Sequence, residues 1–396
     1  MITSLAEPFL RKRGGKKWTT YPSDVLPLWL ADMDFEVAPP VQGAIERAVA
    51  VGGYTYPGES TYLAVEEAFL DRMATRFAWS PWEGGVTMLA DLVQALTTSV
   101  LAFSEPGDGV IVMTPIYPPF LRAASVGGRR MVDVAMVDRP EGFVVDLDRL
   151  EDVAQKPDVR MLLLCNPHNP TGRVLTLAEL RAVAEVAERH DLVVVSDEVH
   201  SDLTMGNSPH VAYAAVAPDQ GAGCVTLQSA SKSFNLGGLR CAVMHFGSQA
   251  LRDRFEERFP DRTLGRVTSL SAEATVAAWT HGGVWLEELL GLLRRNHARV
   301  QEWVRASEHS IESHPGEGTY FAWLDFGKIL PPGVTAHAYL RDAARVALLA
   351  GEDFRGPRHW ARLNFATSPE ILDSALSRLD NAITSHDDAS TRGVAS

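Results

Sequence analysis

Short apolar runs with little alternation recur through the middle of the chain, at 110–113, 131–134, 161–164, 192–195, 225–227 and 242–246. Runs this short, rich in β-branched and aliphatic residues and lacking a polar face, predict strands buried on both sides of a sheet. Between them the period changes. Over 176–189 the positions Leu180, Val183, Ala184 and Ala187 form one helical stripe; Thr176 stands where an N-cap belongs, and Glu179 follows three residues later. Alternation of strand and helix predicts a mostly parallel sheet with helices on both faces, an α/β large domain. From about Val284 the texture differs. A long helical stretch at 285–305 leads to strand-like segments at 319–326, 347–349 and 361–365, which predict a smaller α+β unit. Residues 46–283 are expected to form the large domain, and 1–45 with 284–396 the small one. The polar end from His386 onward is expected to fray.

The 396 residues leave room for two such domains. With 46% hydrophobic and 22% charged residues, the chain reads as globular rather than disordered. Lys and Arg total 37 against 50 Asp and Glu, a net charge of −13. That balance argues against a nucleic-acid partner, which requires clustered basic residues. The basic run Arg11, Lys12, Arg13, Lys16 and Lys17 reads as solvated surface. The three cysteines form no Cys-x-x-Cys pair, which argues against a disulfide framework or a Cys-rich zinc site. His168 and His200 lie within motifs, and the other histidines show no metal-ligand spacing, so no metal is expected. The chain opens without an apolar leader, and no run nears the roughly 18 residues of a membrane span. The expectation is a cytoplasmic protein with no membrane partner.

Four motifs each follow a predicted strand, the edge of a parallel sheet where ligands bind. Ser229-Ala230-Ser231-Lys232 precedes Asn235-Leu236-Gly237-Gly238-Leu239-Arg240. A lysine behind small hydroxyl residues suits Schiff-base chemistry, and the hydroxyls with Arg240 suit a phosphate. A surface lysine on a loop is the plainer reading of that segment alone. In Ser196-Asp197-Glu198-Val199-His200 an acid follows an apolar run, where burial demands a partner such as a protonated ring nitrogen. A helix-capping carboxylate would look similar. Cys165-Asn166-Pro167-His168-Asn169-Pro170-Thr171-Gly172 fixes a turn that aims an asparagine amide above the sheet, although a plain turn has the same composition. Pro115-Ile116-Tyr117-Pro118-Pro119-Phe120 presents an aromatic face on a stiff loop. Cys165 reads as a small packed residue.

Together these motifs resemble the fold-type I pyridoxal 5′-phosphate (PLP) enzymes, the aspartate aminotransferase superfamily, and within it the MalY/PatB-type cystathionine β-lyase group. Pro27-Leu28-Trp29-Leu30-Ala31-Asp32-Met33-Asp34-Phe35, Gly53-Tyr54-Thr55, Asn166-Pro167-His168-Asn169-Pro170, Asp197-Glu198-Val199-His200 and Ser231-Lys232-Ser233-Phe234-Asn235 carry the likeness, which runs from about Lys17 to Leu379. The resemblance implies a fold with a seven-stranded sheet and an active homodimer with shared sites. It implies that Lys232 holds PLP covalently and is the catalytic residue. Asp197 would pair with the ring nitrogen, Asn169 with the ring oxygen, and Tyr117 would stack on the ring. Ser229, Ser231 and Arg240, with the amides of Asp91 and Leu92, would surround the phosphate, which Tyr54 would reach from the other subunit. Arg362 would clamp the carboxylate of a small amino-acid substrate, with Asn169 and the turn at Ala31 and Asp32 closing over it.

Two departures bear on function. His200 stands where many aminotransferases carry a tyrosine beside the cofactor, and the lyase group shares the histidine. Asp91 stands where that group commonly has glycine, and an N-cap role would turn its carboxylate away from the phosphate. The expected activity is cleavage of cystathionine or another S-substituted cysteine to pyruvate, ammonia and a thiol. Transamination of an amino acid is the alternative. Other PLP chemistry on a sulfur-bearing intermediate of secondary metabolism, or a regulatory module, ranks below both.

Overall fold

The computed structural model describes residues 2–206, 209–260, 263–307 and 311–393. Seven strands form the central sheet: β1 (Val86–Leu89), β2 (Gly109–Thr114), β3 (Arg130–Ala135), β4 (Val159–Cys165), β5 (Val193–Asp197), β6 (Cys224–Gln228) and β7 (Ala242–Phe246). Their spatial order is β1-β7-β6-β5-β4-β2-β3. All pairings are parallel except those of β7, which runs antiparallel to both neighbours. The lack of alternation in the sequence has a direct cause. Ile111, Met113, Leu162 and Leu164 enter one apolar cluster, whereas Val110, Val112, Met161 and Leu163 enter another on the opposite face. Both faces of the sheet are therefore buried, and the middle positions of these two strands are apolar on either side.

Six of the strands fall on the predicted runs. β1 was not anticipated. It is four residues long at the sheet edge, and its two middle residues are half-buried, so it carries no strong apolar signal. The helix Leu177–Arg189 starts as expected: the Thr176 hydroxyl accepts the Glu179 amide, and the Glu179 carboxylate accepts the Thr176 amide. Leu180, Val183, Ala184 and Ala187 are its buried face.

A second sheet comes from the C-terminal part of the chain. Phe321–Asp325, Leu349–Ala350 and Trp360–Asn364 form it, with the last strand in the centre and antiparallel pairings throughout. The long helices Gly283–Ala306 and Pro369–Gly393 accompany it. The polar end expected to fray is helical in backbone to Gly393, and residues 394–396 lie outside the described residues. The N-terminal segment joins this unit, because Leu26–Pro27 pairs in parallel with Val346–Ala347.

One expectation about the N-terminus is corrected. Lys17 is not solvated: it is only 2% exposed and bonds the Asp34 carboxylate at 2.7 Å and the Asp32 carbonyl at 3.1 Å. Trp18 donates to the other oxygen of Asp34 at 2.7 Å. A buried acid with an ammonium and an indole donor is satisfied, and removing one partner would strand the other. Among the described residues, no helix is long and apolar enough to cross a membrane.

Candidate active site

Strand register decides which loops meet. Cys165 at the end of β4 lies opposite Asp197 at the end of β5, and Asp197 lies opposite Leu227 of β6. With β2 beside β4, the four predicted motifs emerge side by side from adjacent carboxyl ends. They surround one cavity. Its lining includes Ala31, Asp91, Leu92, Tyr117, Asn169, Asp197, His200, Ser229, Ser231, Lys232 and Arg240. Val93, Leu96, Pro119, Phe120 and Cys165 supply apolar wall.

At the floor, the Asp197 carboxylate accepts the Val199 amide at 3.1 Å. Burial pushes its carboxyl up to about 6, because one amide does not replace the lost hydration, and the adjacent Glu198 adds to the rise. Glu198 is itself fully satisfied, by Ser196 at 2.8 Å, His210 at 3.0 Å and the Tyr213 amide at 2.9 Å. Burial pushes the Cys165 thiol up, which keeps it protonated. Burial likewise raises the phenol of Tyr117.

Lys232 points its ammonium at the Ala31 carbonyl, 3.3 Å away. Enclosure lowers its pKa; the Asp32 and Asp197 carboxylates oppose that fall and the Arg362 charge adds to it. The same carbonyl accepts the Tyr320 hydroxyl at 3.0 Å. The segment carrying Ala31 and Asp32 is pinned along its length. The Asn364 amide holds the carbonyls of Leu30 and Asp32 at 2.6 and 2.9 Å. Asn235, three residues beyond Lys232, reads both the amide and the carbonyl of Met33, at 2.9 and 3.0 Å. The loop that carries the lysine and the strap above it are thus one hydrogen-bonded unit.

Arg362, on the central strand of the small sheet, is 1% exposed. It does not line the cavity but reaches its rim. It donates to the Asn169 side-chain oxygen at 2.8 Å and the Trp29 carbonyl at 3.0 Å, and its guanidinium lies 3.8 Å from the Phe321 ring centroid. Among the described residues its Nε has no partner, and burial brings its pKa down to about 10. This is a cation awaiting an acid. Because Asn169 spends its oxygen on Arg362, its NH2 group is the part left for the cavity. The Asn166–Gly172 turn is fixed from the small unit as well: the amides of Glu317 and Gly318 both donate to Gly172 at 2.8 Å. A side chain on Gly172 (φ +72°) would meet Gly316 at 2.9 Å. His200 has no partner for its Nδ1 among the described residues and makes edge contacts with Tyr320 and Phe321. Burial holds its imidazole well below the usual range, so it is neutral.

The other end of the cavity is the start of the helix Leu92–Phe103. Asp91 caps it by accepting the Gln94 amide at 2.8 Å, as expected from sequence. Its second oxygen pairs with Arg240. The Ser229 hydroxyl donates to the Cys241 carbonyl at 2.6 Å and accepts the Ser231 amide at 3.1 Å. Asp32 lies outside the cavity lining, and its charge acts to raise the pKa of both Lys232 and Tyr320. Tyr54 is 71% exposed, and a single chain does not bring it to the site. Tyr320 and the strap-pinning role of Asn235 were not predicted; the tyrosine lies within a segment whose only sequence signal was strand propensity.

The chain matches the model of the family "Aminotransferase class I and II" over residues 47–379. It is 31% identical to the cystathionine beta-lyase of Corynebacterium glutamicum, with 94% of this chain and 98% of that protein covered. It is 29% identical to the cystathionine beta-lyase PatB of Bacillus subtilis, covering 91% and 93%. The crystal structure of cystalysin from Treponema denticola, which contains a pyridoxal 5′-phosphate cofactor, superposes with a TM-score of 0.90 at 25% identity, covering 97% of this chain and 99% of that one.

Proposed function

The chain belongs to the class I and II aminotransferase family, and we propose that within it the protein is a PLP-dependent carbon–sulfur β-lyase that cleaves cystathionine or another S-substituted cysteine to pyruvate, ammonia and a thiol. The observation that carries this reading is the convergence around one cavity of an enclosed lysine, a buried acid with a raised pKa and a buried arginine that has no acid partner among the described residues. Relatives named cystathionine beta-lyase over nearly the full chain support the choice of reaction.

The residues present fit PLP. Asp197, held by one amide and pushed towards protonation, gains what it lacks from a cationic ring nitrogen. Asn169 has its NH2 group free for a ring oxygen, and Tyr117 supplies a face for stacking. The first amides of the helix Leu92–Phe103, with Arg240, suit a phosphate. When bound there, PLP supplies an electron sink for charge developing at the α-carbon of an amino acid.

The chain's own groups do the rest. Arg362 binds the substrate carboxylate, assisted by the Asn169 side chain that it already orients. Lys232 takes the α-proton on Nζ; its lowered pKa raises the fraction of free amine available for this. The Ala31 carbonyl, fixed by Tyr320, holds Nζ in place beforehand. Neutral His200 adds no charge beside the reacting atoms. The strap through Asp32 and Met33 excludes water above them. We take residues 46–283 as the cofactor-binding domain and 1–45 with 284–396 as the closing unit, a division supported by the pairing of Leu26–Pro27 with Val346–Ala347. All three cysteines are free and buried, which suits the reducing cytoplasm.

A β-lyase and an aminotransferase differ in what they need. With an S-alkyl cysteine and no keto acid, the lyase reading expects many pyruvates per active site. A single turnover, with recovery only on adding a keto acid, would establish transamination instead.

Exposed Tyr54 is proposed to complete the neighbouring subunit's phosphate site in a homodimer. Mixing Tyr54→Ala and Lys232→Ala proteins, each impaired alone, should restore part of the activity, since each hybrid holds one intact composite site. Confirmed subunit exchange without recovery would count against a shared site.

A further inference from the structure

Asp91 is the residue of this site that departs from the group it resembles, and it makes two contacts. One oxygen accepts the Gln94 amide, while the Gln94 side chain in turn accepts the Ala90 amide at 3.0 Å, so the helix start is closed by a reciprocal cap. The other oxygen pairs with the guanidinium of Arg240. Arg240 stands beside Asp91, two residues before Ala242, which pairs with Leu89, on a left-handed backbone (φ 62°) that few non-glycine residues adopt, and its side chain is 61% exposed. One of the two serine hydroxyls at this end is already engaged. Ser229 donates its only hydroxyl proton to Cys241, so it cannot donate to a phosphate without breaking that bond. Arg240 is therefore the cation on which a phosphate here depends, and a carboxylate already holds it.

A carboxylate and a phosphate dianion in one place compete for the guanidinium and repel each other. We propose that Asp91 is a built-in competitor for Arg240 at the phosphate end of the cavity, so that this protein binds PLP more weakly and exchanges it faster than it would with an uncharged residue at position 91. The proposal rests on reading the cavity as a PLP site. The competitor is retained at no loss to the fold, because the same side chain is the helix cap and the Arg240 pair ties the helix start to the loop following Lys232.

Asp91→Asn separates the two roles, since asparagine caps as well as aspartate but carries no charge. Asp91→Ser does the same with a shorter side chain and serves if the first variant folds poorly. Apoprotein is titrated with PLP and, separately, with pyridoxal, which lacks the phosphate. Binding is followed by absorbance. Both variants should bind PLP about five- to tenfold more tightly than the parent, with slower release, while pyridoxal affinity changes by less than about twofold. Unchanged or weaker PLP binding, or a pyridoxal affinity that moves by the same factor, overturns the proposal. If the parent binds neither compound, the reading of the cavity fails and the proposal with it.

Discussion

Lys232→Ala should lower pyruvate formation from an S-substituted cysteine by about a thousandfold or more. A positioned general base contributes roughly 10²- to 10⁴-fold, and the loss of covalent attachment of the cofactor adds to this. The side chain is partly exposed to the cavity and its ammonium makes one hydrogen bond, to Ala31, so the variant should fold. In the parent protein, borohydride should fix the cofactor's mass on the peptide containing Lys232. Labelling of a different lysine would remove Lys232 from this role. The pH dependence has a definite sign. The base works as free amine, and enclosure lowers its pKa, so the rate should climb with pH along a limb centred below the ordinary lysine value.

Arg362→Ala should reduce kcat/KM by about thirtyfold to several thousandfold, corresponding to the roughly 2–5 kcal/mol for truncating one partner of a buried charge pair. The absorbance of bound cofactor should stay nearly unchanged, because Arg362 touches Asn169 and Trp29 rather than lining the cavity. Arg362→Lys should fall in between: it keeps the charge but loses the planar fork and its stacking on Phe321. Loss of PLP binding in the alanine variant would show that the arginine serves the cofactor and not the substrate.

The strand ends were readable in the sequence because both kinds of signal there are local. An unbroken apolar run marks a strand buried on two faces, and a polar residue directly after it has to sit at the sheet edge. Asp197 at the end of β5 and Ser229 after β6 are of this kind. β1 and the antiparallel direction of β7 were not readable, since an edge strand with half-buried centre loses its apolar mark and direction is set by connections far away. Lys17 was misread for a related reason. Its charge fits a basic surface run, and only the fold brings Asp34 and Trp18 around it. Tyr320 joins Ala31 across 289 residues, a contact that no local pattern encodes. The Asp91 cap was legible from its place before the helix, whereas its hold on Arg240 required the structure.

The pairing of Leu26–Pro27 with Val346–Ala347 has a consequence for the order of events during synthesis. Some 320 residues separate the two halves of that contact, so at roughly 5–20 residues per second the first waits on the order of 15–60 seconds for the second. The large sheet can assemble in that interval. The strap over Lys232 cannot, because Asn364, Tyr320 and Arg362, which hold it, are made late. On the proposed reading, a ribosome-bound or prematurely terminated chain would carry most of the residues around the cavity but lack its cover and Arg362, so that substrate turnover would belong to finished chains alone.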